Sequence, residues 1–65
     1  MRILIPDMTC DHCKAKIEDA VLDLDEGAAV RFDMGARQIE VETVLDHNTV
    51  IGAINDAGYD ATVQD

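Results

Sequence analysis

The spacing of apolar residues changes along this chain, and the order of the changes constrains its fold more than any other feature. In four short stretches apolar and polar residues alternate, which predicts strands that bury one face. In two longer stretches apolar residues recur at helical spacing, which predicts amphipathic helices. In chain order we predict a strand at 1–6, a helix from about 12 to 27, strands at 28–33 and 38–43, a helix at 48–57 and a short strand at 59–64.

The element order is therefore strand–helix–strand–strand–helix–strand. Right-handed crossovers then place both helices on one face of a four-stranded antiparallel sheet. We predict an α+β fold, a ferredoxin-like βαββαβ sandwich. A chain of 65 residues has room for one core, so residues 1–65 should form a single domain.

Polar caps and glycines set the expected ends of the elements. Asp11 is the expected N-cap of the first helix, and Gly27 is expected to end it. Gly35 is expected to supply the positive φ angle in the turn between the second and third strands.

The second helix has similar signals. Asp46 or Asn48 is its expected N-cap, and Gly58 is expected to stop it. In the last strand Ala61 and Val63 should point toward the core.

The charge balance excludes some partners. Fourteen acidic and five basic residues leave a formal net charge of -9. Such a chain is unsuited to nucleic acid or an anionic membrane surface, and no apolar run approaches the roughly 20 residues of a membrane span. Residues 1–6 lack a signal-peptide pattern, so we expect a cytoplasmic protein, and a chain from Met1 to Asp65 favours a free-standing one.

The chain has two cysteines, Cys10 and Cys13, where the first strand gives way to the first helix. The backbone N–H groups of a helix start favour the thiolate, and thiolates bind soft metal ions. Two thiolates suit Cu(I), whereas a structural Zn(II) site needs about four ligands. His47 has no second ligand beside it and is expected to be a solvent-exposed residue at the start of the second helix.

The run from Met8 to Cys13 reads Met-Thr-Cys-Asp-His-Cys, and Ala57, Gly58 and Tyr59 follow near the end. With the element order, these motifs resemble the heavy-metal-associated domain family over essentially the whole chain. The resemblance is greatest to the small bacterial copper chaperones. It implies that Cys10 and Cys13 bind one Cu(I) per monomer, with Ag(I) and Zn(II) as competing ions.

The resemblance also implies roles for neighbouring residues. Met8 would pack under the loop and not bind metal, and Tyr59 would shield the ion from solvent. Thr9 would favour Cu(I), because relatives that carry zinc or cadmium tend to have aspartate there. His12 would tune the site, and Asp7 replaces the usual glycine.

By the same resemblance, the function would be delivery of Cu(I) by ligand exchange to the metal-binding domain of a copper-exporting P-type ATPase. The protein would be a monomer when metal-free and could form a copper-bridged dimer. Lys14 and Lys16 would contact an acidic partner domain or simply form a solvated helix face. The alternatives are a regulatory metal-binding domain of a heavy-metal ATPase and, in the enzyme class, a thiol–disulfide oxidoreductase.

Overall fold

The computed structural model describes residues 1–64 and contains the six elements in the predicted order. They are β1 (Arg2–Leu4), α1 (Asp11–Leu24), β2 (Ala29–Asp33), β3 (Gln38–Glu42), α2 (His47–Asp56) and β4 (Thr62–Val63). The strands lie in the order β2-β3-β1-β4, and every neighbouring pair is antiparallel. The predicted ferredoxin-like βαββαβ fold is confirmed.

The core lies between the sheet and the two helices. Alternate strand positions and helix positions four residues apart supply it, as the two apolar spacings require. Its fully buried side chains are Ile3, Ile5, Met8, Ile17, Val21, Ile39, Val41, Val50 and Ile54. Ile5 and Met8 are the two members that lie between elements, and their burial ties the β1–α1 loop to the sandwich.

Both expected boundaries of the first helix were wrong. Cys10, and not Asp11, is the N-cap residue, because its backbone is extended (φ −150°, ψ 167°) and Asp11 already lies in the first turn. The helix ends at Leu24, before Gly27. The Asp25 carboxylate accepts hydrogen bonds from the Gly27 N–H (3.0 Å) and the Thr43 hydroxyl (2.6 Å), which draws the chain out of the helix.

The turn between β2 and β3 also differs from the expectation. Arg37, and not Gly35, has the positive φ angle, at 56°. The Asp33 side chain accepts a hydrogen bond from the Ala36 N–H (3.2 Å), which places the left-handed residue last in the turn. A left-handed conformation costs a non-glycine residue about 1–2 kcal/mol, so Arg37 needs compensating contacts.

Those contacts reach the segment that directly follows the first strand. The Arg37 carbonyl accepts a hydrogen bond from the Ile5 N–H (2.8 Å), and its guanidinium donates to the Pro6 carbonyl (3.3 Å). The first strand nevertheless ends at Leu4, short of the predicted position 6. Pro6 has no N–H to donate, so regular pairing does not extend through it.

The second helix spans His47–Asp56, one residue earlier at each end than the predicted 48–57, and is followed by a well-defined motif. Asp46 is its N-cap, and its side chain accepts a hydrogen bond from the Thr49 N–H (2.8 Å). After the helix, Gly58 has a φ of 101° and donates to the Asn55 carbonyl, while Tyr59 donates to the Ile54 carbonyl. These two bonds form a Schellman motif.

The last strand is shorter than the predicted 59–64. It covers only Thr62–Val63, with Ala61 and Val63 partly buried as expected.

Across residues 1–64, neither helix is long and apolar enough to cross a membrane.

Candidate metal centre

The β1–α1 loop is anchored at its base and exposed at its tip. The Met8 side chain is fully buried, and its N–H donates to the Ile5 carbonyl (3.0 Å). The guanidinium of Arg37 holds the Pro6 carbonyl from the neighbouring turn. The tip residues Asp7, Thr9, Cys10, Asp11 and His12 are exposed. A rigid base therefore presents an accessible Cys-x-x-Cys.

The two thiols converge at the start of α1. Cys10 lies just before the helix, and its carbonyl accepts the Lys14 N–H (3.1 Å), while Cys13 lies in the first turn. Their Sγ atoms are 3.3 Å apart, well beyond the roughly 2.05 Å of a disulfide, and both cysteines are free. Cys10 is exposed and Cys13 is half-buried, so the two sulfurs differ in accessibility.

Tyr59 is the principal electrostatic partner of Cys13. A hydrogen bond with the tyrosine hydroxyl, followed by one with the Cys10 thiol, lowers the pKa of Cys13, against a smaller effect of burial. The same contact, together with burial, raises the pKa of Tyr59 to about 12. A thiol with a lowered pKa is more often in the thiolate form that binds metal.

The Schellman motif after α2 brings Tyr59 to this position. Its turn, centred on Gly58, directs the chain back toward the start of α1, and the ring packs partly buried against the core. The sequence placed Tyr59 near the site only through the family resemblance. No local pattern indicates that it contacts Cys13, which lies 46 positions earlier in the numbering.

Among the described residues the two cysteines have no third ligand beside them. Within residues 1–64 no group of three or more His, Cys, Asp or Glu side chains is arranged to hold a metal ion. His12 is exposed beside the cysteines, and His47 is the exposed first residue of α2, as expected for a helix-start histidine. The chemistry of the site is therefore that of a dithiol.

Two lysines near the site pack on aromatic rings. The Lys14 ammonium lies 5.0 Å from the centroid of the Phe32 ring, and the Lys16 ammonium lies 5.9 Å from that of Tyr59. These contacts, and the hold of Arg37 on the loop, were not predicted from the sequence. Each joins residues that are far apart in the sequence, and neither spacing nor composition signals such a pair.

A ferredoxin-like sandwich with a reduced Cys-x-x-Cys on an exposed loop defines a class of small dithiol domains. The chain belongs to the heavy-metal-associated domain family, which matches residues 2–60.

Individual relatives agree with this assignment. The copper chaperone CopZ of Staphylococcus saprophyticus is 34% identical over 61 residues, with 89% of this chain and 90% of the relative covered. The crystal structure of a gold binding protein has 36% identity and a TM-score of 0.90, and the match covers 94% of each chain. The copper chaperone Atx1 from Synechocystis PCC6803 has a TM-score of 0.93 over 95% of this chain and 98% of its own, and at 24% identity it supports the fold alone.

Proposed function

We propose that the protein is a Cu(I) carrier in which Cys10 and Cys13 bind one ion per monomer. The observation that carries this proposal is the pair of free thiols, 3.3 Å apart on an exposed loop, with no third ligand among the described residues. A pair of thiolates suits a soft ion that accepts two ligands. Zn(II) commonly takes about four ligands. In this proposal the ion is cargo, and it takes part in neither hydrolysis nor redox chemistry.

The relatives support this choice of metal. Two are named copper chaperones CopZ, and a structural relative is a gold binding protein. Gold in its monovalent state is, like Cu(I), a soft ion that thiolates bind well. Ag(I) is expected to compete for the site, and Zn(II) less strongly, because Thr9 offers no carboxylate oxygen.

Release would proceed by ligand exchange. Cys10 is exposed, so a partner thiolate can approach the ion from its side. One copper–sulfur bond forms for each that breaks, with no change of oxidation state and no catalysis by the protein. The proposed recipient is the metal-binding domain of a copper-exporting P-type ATPase, which the copper-loaded protein would reach in the cytoplasm. The metal-free protein would be a monomer, and copper could bridge two copies into a dimer.

The first test is anaerobic titration of the reduced protein with Cu(I) against a competing chelator. We expect tight binding of one ion per monomer, and loss of it in Cys10→Ser and Cys13→Ser, whose fold should persist because both residues lie outside the buried core. Met8→Leu is the matched control. It removes the nearby thioether at a cost of less than about 1.5 kcal/mol and should keep the affinity, because the buried Met8 is not a ligand.

Full-affinity Cu(I) binding by either serine variant would overturn the site. Loss of binding in Met8→Leu, with the fold intact, would make the thioether a ligand. Transfer from the loaded protein to a P-type ATPase domain then separates a carrier from a regulatory domain, because only a carrier should give up the ion readily.

The position before Cys10 should set the choice between metals. Thr9→Asp adds a hard carboxylate oxygen beside two thiolates, and Zn(II) accepts such a mixed ligand set. We expect a higher Zn(II) affinity than in the unmodified protein, measured by chelator competition. Thr9→Asn, of similar size and uncharged, is the control and should leave Zn(II) affinity unchanged. Equal Zn(II) affinities in the two variants would mean that a carboxylate at position 9 does not set the choice between Cu(I) and Zn(II).

A thiol–disulfide function is the second candidate, because the lowered pKa of Cys13 also suits a nucleophilic thiol. The same titration distinguishes it. Weak Cu(I) binding together with a disulfide that is formed and reduced readily would favour redox chemistry over metal transport.

A further inference from the structure

Tyr59 contacts two residues on one side of α1. Its hydroxyl lies toward Cys13, and the Lys16 ammonium lies 5.9 Å from the centroid of its ring. Cys13 and Lys16 are three residues apart on the helix, so their side chains are neighbours on its surface. One ring therefore spans a cysteine of the dithiol and a positive charge beside it.

The backbone alone does not fix this ring. The Schellman motif sets the path of the chain at Gly58 and Tyr59, but the side-chain torsions remain free to choose among rotamers. The ring is only partly buried against the core. Side-chain contacts are needed to keep the ring against Cys13. Lys16, whose side chain is exposed, supplies one such contact from the solvent side.

We propose that Lys16 is a positioning residue that holds the Tyr59 ring over Cys13 and so slows the loss of the bound ion. This inference rests on the proposed function, since it concerns retention of the same cargo. With the ring held, an incoming ligand reaches the site through the exposed Cys10 and not through Cys13. With the ring released, an incoming ligand can also reach the bound ion from the side of the half-buried Cys13.

The chain contains its own control for this proposal. Lys14 is on the same helix, carries the same charge and also lies over an aromatic ring, but that ring is Phe32, 5.0 Å away. Lys16→Gln and Lys14→Gln therefore remove equal charge from a chain of net charge -9. Only Lys16→Gln removes the cation from Tyr59.

Two measurements test the proposal. The chain has one tyrosine and no tryptophan, so its intrinsic fluorescence reports the Tyr59 ring alone. In the reduced, metal-free protein, Lys16→Gln should make this fluorescence more accessible to acrylamide quenching. In the Cu(I)-loaded protein, it should speed transfer to a small chelator by about two- to fivefold, the factor that corresponds to an exposed cation–π contact.

Lys16→Arg should restore both properties, because a guanidinium also stacks on aromatic rings. Lys14→Gln should change neither. Equal acceleration by Lys14→Gln and Lys16→Gln would show a bulk charge effect and overturn the proposal, as would unchanged quenching in Lys16→Gln. If the unmodified protein fails to bind Cu(I), the proposed function fails, whereas the quenching comparison still decides whether Lys16 holds the ring.

Discussion

At the scale of single residues, the two cysteines are not equivalent. Cys10 is exposed at the N-cap, whereas Cys13 is half-buried and has its pKa lowered, chiefly by the Tyr59 hydroxyl. The motif predicts that both thiols lie at a helix start, and the spacing is enough to bring them together. The motif carries no information about Tyr59, which lowers the pKa of the Cys13 thiol.

Removal of the tyrosine hydroxyl should reverse this effect. In Tyr59→Phe we expect the pKa of Cys13 to rise toward its ordinary value of 9.0, because the largest cause of its lowering is lost. The thiolate fraction at neutral pH should fall accordingly, as measured by ultraviolet absorbance during a pH titration of the reduced protein.

The reciprocal change is the control. In Cys13→Ala the pKa of Tyr59 should fall from about 12 toward its ordinary 10.0, as followed by phenolate absorbance. An unchanged tyrosine titration in that variant would mean that burial, and not the cysteine, raises the pKa.

At the scale of elements, the periodic segments were predictable, and their ends less so. The Schellman motif after α2 matches the expected stop at Gly58, and the cap at Asp46 matches one of the two expected caps. The end of α1 and the left-handed residue of the β2–β3 turn were misjudged. In both places an aspartate side chain, Asp25 or Asp33, redirects the backbone by accepting its N–H groups.

Two glycines of the α2 region should respond oppositely to the same substitution. A Cβ added at Gly52 or at Gly58 meets nothing within 4 Å, so only the backbone differs. Gly52→Ala, inside the helix, should stabilise the protein by up to about 1 kcal/mol. Gly58→Ala, at a φ of 101°, should destabilise it by about 1–2 kcal/mol.

Urea unfolding of the two variants beside the unmodified protein measures both effects. The Gly58→Ala variant should also disturb Tyr59, which follows it directly, and the tyrosine fluorescence should report this. Similar free energies of unfolding for the two variants would contradict the assigned role of the positive φ angle.

At the scale of the whole molecule, the acidic charge is largely unbalanced. The ion pairs found between described side chains are Arg2 with Glu40 (3.3 Å) and Arg31 with Glu42 (3.2 Å), both solvent-exposed. Exposed pairs contribute only about 0–1 kcal/mol each. Repulsion among the remaining carboxylates should therefore oppose folding more than the pairs support it.

Screening should relieve that repulsion. We expect the thermal midpoint to rise as sodium chloride is added at neutral pH, because the charges are on the surface and salt shortens their range. Asp23→Lys, which reverses one charge in the last turn of α1, should raise the midpoint at low salt and reduce its dependence on salt. A midpoint that falls with added salt would mean that attractive pairs dominate.

The sequence by itself determined the element types, their order, the resulting fold and the position of both thiols. These features depend on local spacing, and right-handed crossovers leave few arrangements open. Only the tertiary structure decided which distant residues complete the site: Arg37 on the loop base, Tyr59 against Cys13 and Lys16 over Tyr59. Such contacts depend on how whole elements pack, and a linear pattern does not encode the distance between side chains that meet only after folding.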